Sequence, residues 1–367
     1  MTQSAVNWHR AVIKVGSALI APEGNGCRTE HLLALARFII QSRENGKEVI
    51  LVSSGSVAAG RNAIAHGSHV SIAEKQAMAA IGQTRMMANW ARLFDFPCAQ
   101  MLLTHDDMGN RQRYLNIKNT LRELLKNNVL PIINENDTVA TQELKFGDND
   151  NLAALVAMVA DADTLMICTD VDGLYTANPK TDSSAQLIPR VEKIDNAVMQ
   201  LAGSVGSSVG TGGMQTKLQA AQKACQQGIQ TLIINGHSSV AFEQLYKGQI
   251  AGTLFDPLQS RTKAKKHWLK HSLKSKGNVV VDEGAYQAIS QRGASLLPAG
   301  IVAVNGQFDA GDAVNIEYNG DVFAKGLSLY TAADLQRVKG QKSEAIESIL
   351  GFSHPDAVLH RDDLVLL

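Results

Sequence analysis

The sequence predicts an α/β protein built on a parallel sheet with crossover helices, followed by a smaller domain of mixed α and β structure. Short β-branched apolar runs alternate with longer helical patterns through most of the chain. That alternation is typical of strands that pair in parallel through crossover helices. Beyond residue 277 the β-like runs are short and punctuated by Gly and Pro, which indicates a small barrel-like sheet with some helix.

Length and composition are those of a globular protein with more than one core. The 367 residues favour two domains, and 45% of them are hydrophobic. The 35 basic and 35 acidic residues balance, so overall charge points to neither nucleic acid nor membrane. The start, MTQSAVNWHR, lacks a signal-peptide pattern, and no apolar stretch approaches the roughly 20 residues that span a bilayer. We therefore expect a cytoplasmic protein.

Five segments have the pattern of sheet strands, and each ends in small or polar residues. In chain order they are AVIKVGS, EVILVSSGS, VLPIINEND, TLMICTD and TLIINGHS. Helical patterns lie between them, such as HLLALARFIIQSREN and EKQAMAAIGQTRMMANWARLF. Open α/β sheets bind ligands beyond the carboxyl ends of their strands. The polar side chains expected at that edge are Lys14, Ser54, Asn134, Asp137, Thr169 and Asp170.

Two strand ends have the chemistry of an anion site. Lys14 stands before a Gly turn, where its ammonium group can lie against phosphate oxygens; the alternative is an edge lysine that reaches solvent. Ser54 and Gly55 stand where a strand becomes a helix, which exposes backbone N–H groups to an anion. A generic turn would explain them equally well.

The segment FGDNDNLAALVA places four Asp and Asn residues directly before an apolar run. One of them serves as the N-cap of a helix predicted to begin at about Leu152. A single cap is enough, so Asp148, Asn149, Asp150 and Asn151 together exceed that need. The surplus favours a ligand site at the start of this helix.

Two further segments indicate a phosphate or nucleotide site. In GSVGSSVGTGGMQTKLQAA the glycines allow close backbone approach, and Lys217 falls on the first turn of the next helix; a mobile linker is the alternative. The spacing is neither that of a Walker P-loop nor that of a Rossmann fingerprint. In TLMICTDVDGLYTANPK, Thr169 and Asp170 can contact ribose or base, or form a plain turn.

We expect the chain to divide into a domain at residues 1–257, a basic linker region at 258–276 and a small domain at 277–367. Seven Lys and Arg residues and no acid lie between residues 259 and 276. A solvated linker is the favoured interpretation, because runs of like charge are usually solvated. The alternative is an RNA-binding regulatory module, since clustered basic residues neutralise phosphates.

Taken together, these segments resemble the amino-acid kinase superfamily, and most closely its members that phosphorylate glutamate. The resemblance covers nearly the whole chain: VIKVGS, VSSGSVAAG, LPIINENDTVA, KFGDNDNLAALVA, TDVDGLYTANP and GTGGMQTKLQAA stand in the family's order. The C-terminal part is similar to a PUA domain. The resemblance implies a three-layer α/β/α sandwich (amino-acid kinase fold) with a small mixed, mainly β, C-terminal PUA-like domain.

The resemblance also implies roles for individual residues. Lys14 and Lys217 would hold the transferring phosphoryl group, and Asp150 would orient them. Ser54, Asp137 and Asn149 would bind glutamate. The nucleotide site would comprise Lys14, Thr169, Asp170, Thr211, Gly212, Gly213, Met214, Gln215, Thr216 and Lys217. The carboxylate acceptor, with a reference pKa of about 4.3, is already ionised and needs no general base.

Cofactor and partners follow from the same resemblance. ATP would enter with Mg²⁺, whose ligands no spacing identifies, and the product would be L-glutamyl 5-phosphate, for the first step of proline biosynthesis. Proline would act as inhibitor, the protein would form a homodimer or homotetramer, and glutamyl phosphate reductase would receive the product. The enzymatic alternatives are kinases for aspartate, acetylglutamate, carbamate or a nucleotide; RNA remains the alternative partner.

Overall fold

The computed structural model describes residues 6–23, 26–67, 69–140, 149–202, 213–260, 269–270, 273–352 and 355–367. The chain forms two compact units, Met1–Met108 with Lys118–Arg261 and Gly109–Ile117 with Thr262–Leu367. Most of the predicted basic linker lies outside the described residues. No helix in these described ranges is long and apolar enough to cross a membrane.

An eight-stranded sheet forms the centre of the first unit. Its strands are Arg10–Val15 (β1), Glu48–Ser53 (β2), Cys98–Leu103 (β3), Leu130–Glu135 (β4), Thr164–Thr169 (β5), Arg190–Val191 (β6), Gln230–Asn235 (β7) and Thr253–Phe255 (β8). They lie in the order β3-β4-β2-β1-β5-β7-β8-β6, and only the β7–β8 pair is antiparallel. The predicted parallel sheet is therefore confirmed, and the five predicted segments form β1, β2, β4, β5 and β7.

The helices of the first unit connect these strands. They are Ser17–Ile20 (α1), Leu33–Glu44 (α2), Ser56–Gly60 (α3), Ile72–Ala91 (α4), His105–Gly109 (α5), Arg111–Lys126 (α6), Asn149–Val159 (α7), Asn196–Leu201 (α8), Met214–Gln226 (α9) and Ser239–Tyr246 (α10). Residues 111–117 of α6 belong to the second unit. Short 3₁₀ turns occupy Glu30–Leu32 and Arg61–Ala63. Both helical patterns singled out in the sequence are present, as α2 and α4.

The sheet carries helices on both faces. Alternate side chains of β1 point to opposite faces. One face holds an apolar cluster that β1 shares with α2, α4 and α10, and its members include Ala11, Ile13, Val15, Phe38, Ile39, Met86, Trp90, Phe242 and Leu245. On the opposite face Lys14 contacts α7. This is the expected three-layer α/β/α arrangement, and it directs Lys14 away from that apolar cluster.

The prediction that the helix after the Asp/Asn cluster begins at about Leu152 is wrong. Helix α7 begins at Asn149, so Asn149, Asp150 and Asn151 are helical residues of its first turn. Asp148, considered as the cap, lies outside the described residues. The propensity argument failed because these side chains bond to groups distant in the chain, and such tertiary contacts override a weak local preference.

Two glycines let α3 and α4 approach at backbone distance. A Cβ built on Gly82 would lie 1.8 Å from the carbonyl oxygen of Ser56, and one on Gly60 would lie 1.9 Å from that of Met78. Only a residue without a side chain fits at such an approach. The contact fixes the position of Ser56, the first residue of α3, relative to α4.

The second unit is a five-stranded mixed sheet with helices. Its strands are Gly277–Val281 (β9), Ile301–Gly306 (β10), Ala313–Tyr318 (β11), Asp321–Leu327 (β12) and Leu364–Leu366 (β13), in the order β10-β9-β11-β12-β13. Its other helices are Glu283–Arg292 (α11), Ala332–Val338 (α12) and Ile346–Leu350 (α13), with 3₁₀ turns at Pro298–Gly300, Ser343–Ala345 and Arg361–Asp363. The predicted small, mainly β domain is confirmed.

Residues 109–117 contribute to the interior of the second unit. Leu115 is 4% exposed and belongs to that unit's apolar core. Arg111 Nη1 lies 2.8 Å from Asp312 Oδ1, and Lys276 Nζ lies 2.9 Å from Asp312 Oδ2. The sequence did not predict this contribution, because residues 109–117 are distant in the chain from the strands they join.

Candidate functional site

Three charged side chains meet at the centre of the first unit's sheet. Lys14 Nζ lies 2.6 Å from Asp150 Oδ1, and Lys217 Nζ lies 3.1 Å from Asp150 Oδ2. The carboxylate is 0% exposed and each lysine is 5% exposed. One buried carboxylate thus holds two ammonium groups, which leaves the cluster with a net positive charge.

Each member of this cluster comes from a different element. Lys14 is on the face of β1 opposite the apolar cluster shared with α2, α4 and α10, Asp150 is on the first turn of α7, and Lys217 is on the first turn of α9. Strand β1 is central, between β2 and β5, so its side chain is enclosed on both sides. The placement of Lys217 on the first turn of a helix was predicted correctly.

The two lysines determine the charge state of Asp150. Burial by itself raises the pKa of the Asp150 carboxyl, but the ammonium groups of Lys14 and Lys217, with their hydrogen bonds, outweigh burial and hold that pKa below its ordinary value. Asp150 is therefore ionised at neutral pH. A carboxylate in this state organises cations and does not accept a proton.

Thr216 adds a neutral contact to the same carboxylate. Its Oγ1 lies 3.1 Å from Asp150 Oδ2 and 2.8 Å from the carbonyl oxygen of Gly213. A hydroxyl has one hydrogen to donate, so these two acceptors share it. Gly213 is the N-cap residue of α9, and Met214 and Gln215 follow on its first turn. Thr211 and Gly212 lie outside the described residues.

Asn149 belongs to a group of polar side chains beside the charged cluster. Its Nδ2 donates to Asn134 Oδ1 at 2.7 Å and to the carbonyl oxygen of Ser53 at 3.3 Å. Asn134 Nδ2 in turn donates to Gln83 Oε1 at 2.9 Å. The neighbouring Asn151 is held elsewhere, since Lys223 Nζ donates to its Oδ1 at 2.7 Å.

A cavity of about 230 Å³ lies against α4 and the ends of β3 and β4. Its lining includes Ser56, Gln83, Glu135 and Asp137. Ser56 Oγ donates to Asp137 Oδ2 at 2.9 Å. Ser54, which the sequence singled out, is half-buried just after β2, and its backbone N–H donates to the Val15 carbonyl oxygen at 3.0 Å.

Thr169 and Asp170 mark the carboxyl end of β5. Thr169 is buried, Asp170 is exposed, and Thr169 Oγ1 lies 3.1 Å from Asp170 Oδ1. The next strand end along the sheet carries His237, whose ring meets that of His31 edge-on at 5.0 Å. Burial, with the nearby His31, lowers the pKa of His237, although Asp170 acts in the opposite direction. This edge offers polar groups next to the charged cluster.

Sequence reasoning missed two residues of this site, Ser56 and Gln83. Gln83 stands on the buried stripe of α4, at helical spacing from Ala79, Met86 and Trp90. A polar residue on such a stripe is a detectable signal. Ser56 lies two residues beyond the predicted Ser54, a distinction that depends on where α3 begins.

The arrangement is suited to binding an anion that carries several oxygens. Two buried ammonium groups, a helix N-terminus at α9 and a Gly-capped first turn all present positive charge or donors. A carboxylate that stays ionised keeps the lysines apart and in place. Such a site stabilises charge on phosphate oxygens without supplying a proton.

Comparisons with known proteins identify the families that the two parts of the chain resemble. The model of the amino acid kinase family matches residues 9–235, and that of the PUA domain matches residues 277–350. A glutamate 5-kinase of Salinibacter ruber is 53% identical, with 100% of this chain and 99% of that protein covered. One of Idiomarina loihiensis is 52% identical over 99% of each chain, and one of Xanthomonas oryzae pv. oryzae is 47% identical over 97% of this chain and 100% of its own.

Proposed function

The chain belongs to the amino acid kinase family, and from this we propose that it catalyses the ATP-dependent phosphorylation of the side-chain carboxylate of L-glutamate. The products are L-glutamyl 5-phosphate and ADP. The observation that carries the proposal is the buried Lys14–Asp150–Lys217 cluster, with Lys–Asp distances of 2.6 and 3.1 Å. The full-length relatives named above support glutamate as the substrate.

The chemistry requires positioned cations and no general base. A glutamate carboxylate oxygen attacks the γ-phosphorus of ATP, and the bond from that phosphorus to the oxygen it shares with the β-phosphorus breaks. The nucleophile is already ionised at neutral pH, since its reference pKa is about 4.3. Negative charge develops on the equatorial and leaving oxygens, and Lys14 and Lys217 are the groups that counter it.

Asp150 acts in this proposal as an organiser of the two lysines. Its carboxylate is 0% exposed, and its pKa is held below the ordinary value because the lysine charges outweigh the effect of burial. It therefore fixes both ammonium groups through the reaction without taking up a proton. Thr216, which contacts the same carboxylate, supports that position.

The amino acid would lie between the charged cluster and the 230 Å³ cavity. Asp137 lines that cavity and offers a carboxylate to the substrate ammonium group, while Asn149 offers an amide beside Asp150. Ser54, directly after β2, offers its hydroxyl group to a substrate carboxylate. Ser56 holds Asp137 from within α3.

The nucleotide would lie along the ends of β5 and α9. Thr169 and Asp170 would contact the ribose and base, and residues 213–217 with Lys14 would surround the phosphates. The N-terminus of α9, a helix of 13 residues, directs its unpaired N–H groups and its dipole at that position. Within residues 213–217, Gly213 leaves the approach open, because a Cβ there would meet no atom within 4 Å.

Mg²⁺ would enter with ATP and would be held mainly by phosphate oxygens and water. Among the described residues there is no group of three or more His, Cys, Asp or Glu that could hold a metal ion. Asp150, the carboxylate nearest the lysines, is committed to them. Mg²⁺ commonly keeps several waters and takes one or two carboxylates plus substrate phosphates, which suits such a site. When bound, it would neutralise charge on the β- and γ-phosphate oxygens.

Three further partners remain part of the proposal. Proline would inhibit by competing near the glutamate site, the chain would assemble as a homodimer or homotetramer, and glutamyl phosphate reductase would consume the reactive acyl phosphate. The relatives' shared name supports the pathway. RNA binding by the second unit is not favoured by any observation on the described residues.

The test is trapping of the acyl phosphate with hydroxylamine. Purified protein with ATP and Mg²⁺ is offered glutamate, aspartate or N-acetylglutamate, each with and without proline. We expect hydroxamate from glutamate and none from aspartate or N-acetylglutamate. We expect less hydroxamate from glutamate when proline is present. Hydroxamate formed only from another acid, or none at all, would contradict the assignment of substrate.

A further inference from the structure

Three side-chain amides form a hydrogen-bonded row that runs from α7 to α4. Asn149 Nδ2 donates to Asn134 Oδ1 at 2.7 Å, and Asn134 Nδ2 donates to Gln83 Oε1 at 2.9 Å. Asn134 is 2% exposed and Gln83 is 8% exposed. Water therefore does not readily replace either hydrogen bond, and an amide that lost its partner would be left unpaired in the interior.

The carbonyl oxygen of Ser53 sets the direction of the row. A carbonyl oxygen only accepts, so the amide group that lies 3.3 Å from it must be the NH₂ of Asn149. That NH₂ also donates to Asn134, which leaves Asn134 its own NH₂ for Gln83. Asn149 Oδ1 stands outside the row and accepts no hydrogen bond from the residues that the structure describes.

We propose that Gln83 is a positioning residue that, through Asn134, keeps Asn149 Oδ1 directed at the substrate, so that Asn149 recognises a hydrogen-bond donor. Under the proposed function this donor is the α-ammonium group of glutamate, and the inference rests on that function. Gln83 also lines the cavity that contains Asp137, the other acceptor assigned to the ammonium group. Both acceptors would then meet the same cation.

The row transmits orientation because its members cannot turn independently. Without the Gln83 oxygen, the buried NH₂ group of Asn134 would have no acceptor for the hydrogen that it now donates to Gln83. If Asn134 turned over to relieve it, its NH₂ would face the NH₂ of Asn149, so Asn149 would have to turn or move away. Either change breaks the hydrogen bond from Asn149 to the Ser53 carbonyl oxygen, and Asn149 Oδ1 is then no longer held toward the substrate.

Gln83 lowers the stability of the fold through an unpaired amide nitrogen, which argues against a role in packing alone. Its Nε2 is buried and has no hydrogen-bond partner among the described residues, which lowers stability. Its neighbours on the buried stripe of α4, such as Ala79 and Met86, are apolar. An apolar side chain would fill the position at less cost, so the useful part of Gln83 is its acceptor oxygen.

The experiment compares glutamate with glutarate, which lacks the ammonium group, as substrates or competitive ligands in the hydroxylamine assay. We expect Gln83→Met to raise KM for glutamate about tenfold, the equivalent of one lost hydrogen bond. The KM or inhibition constant of glutarate should stay unchanged. Gln83→Glu keeps an acceptor oxygen for Asn134 in either protonation state, so it should restore the preference for glutamate over glutarate. Gln76→Met alters a glutamine of the same helix α4 that neither belongs to the row nor lines the cavity, and should change neither constant.

Equal changes for both ligands, or no change, would overturn the proposal, as would an equal effect of Gln76→Met. If Gln83→Met does not fold, Asn134→Leu cuts the row at its middle and must produce the same selective loss for glutamate. Wild-type protein that forms no hydroxamate with glutamate would overturn the proposed function itself. Wild-type activity with an unaltered preference in the variants would overturn only the role of Gln83.

Discussion

At the scale of single residues, the site depends on a carboxylate whose neighbours decide its charge. Asp150 is fully buried, and an isolated buried carboxylate would take up a proton. The lysines on either side reverse that tendency and hold its pKa below the ordinary value, against the effect of burial. Removing one member of such a group leaves the others uncompensated, which destabilises a protein by about 3 to 5 kcal/mol.

The first prediction separates turnover from binding. Asp150→Asn keeps the shape but removes the charge that places both lysines, so we expect kcat to fall about 10²- to 10³-fold with a much smaller change in KM for glutamate. Asn151→Ala is the matched control on the same turn of α7, because the Asn151 side chain accepts a hydrogen bond from Lys223. Steady-state kinetics on folded variants provide the measurement. A variant that loses glutamate affinity but keeps its kcat would contradict the organising role.

The second prediction concerns the pH dependence of kcat. Thr216 Oγ1 lies 3.1 Å from Asp150 Oδ2, and a donor to the ionised form lowers the pKa of that carboxyl. Thr216→Val removes the donor, so the pKa of Asp150 rises and activity is lost at a higher pH. We expect the acid limb to move up by at most about one pH unit. Thr216→Ser keeps the hydroxyl, so its pH profile of kcat should have the wild-type acid limb. If the acid limb of Thr216→Val does not move, the contact between Thr216 and Asp150 plays no part in the catalytic state.

The same depressed pKa makes a third prediction, about stability. Because the folded pKa of Asp150 lies below the unfolded value, its charge stabilises the fold above about pH 3.9, and this contribution is lost as pH falls through the folded pKa. The free energy of unfolding of the wild type should therefore decline more steeply below pH 4 than that of Asp150→Asn. Denaturant titrations at several pH values measure the two slopes. Parallel slopes would mean that Asp150 is not ionised in the folded protein.

At the scale of elements, local pattern predicted what local sequence determines. The five strands with β-branched runs and the helices α2 and α4 could be placed from periodicity. Strand β3, with only Leu103 buried, and the short strands β6 and β8 lacked that signal. The start of α7 was misplaced because its first turn is held by tertiary bonds.

In the candidate site, too, local sequence predicts some features and tertiary packing determines the others. Lys14, Asp150 and Lys217 could be singled out because each interrupts an apolar or glycine-rich pattern at the end or start of an element. Their mutual distances depend on packing of the whole sheet. The pairing of Ser56 with Asp137, 81 residues apart, leaves no local mark, and neither does the amide row.

The fourth prediction concerns the approach of α3 to α4. Gly82→Ala would place a Cβ 1.8 Å from the Ser56 carbonyl oxygen, so the helices must separate. We expect a loss of about 1 to 3 kcal/mol in the free energy of unfolding. We also expect a raised KM for glutamate, because Ser56 donates a hydrogen bond to Asp137, the carboxylate assigned to the substrate ammonium group. Gly67→Ala, where a Cβ meets nothing within 4 Å, is the control. An unaltered KM in a destabilised Gly82→Ala would separate this packing from the substrate site.

At the scale of the whole molecule, one helix has residues in both compact units. Residues 109–117 belong with the C-terminal residues, and the rest of α6 belongs with the first unit. Leu115 lies in the apolar core of the second unit, whereas Leu121, 1% exposed, follows in the first-unit part of α6. The integrity of the C-terminal sheet therefore depends on a segment that precedes it by more than a hundred residues in the sequence.

The fifth prediction uses this division. Leu115→Ala should lower the stability of the second unit by about 2 to 4 kcal/mol, since it removes a buried side chain from that core. Hydrogen exchange read by mass spectrometry should rise in residues 277–367. Leu121→Ala, the matched change on the same helix, should instead raise exchange in the first unit. The reverse pattern would refute the assignment of residues 109–117 to the second unit.

The origin of the charged cluster also has a consequence for how the protein is made. Lys14 belongs to the first strand, and Asp150 and Lys217, themselves 67 residues apart, follow much later in the chain. During synthesis the site cannot exist until the ribosome has released α9. Nascent chains and products that terminate before α9 therefore lack the complete cluster, and in refolding experiments nucleotide binding should return only after β1, α7 and α9 have packed together.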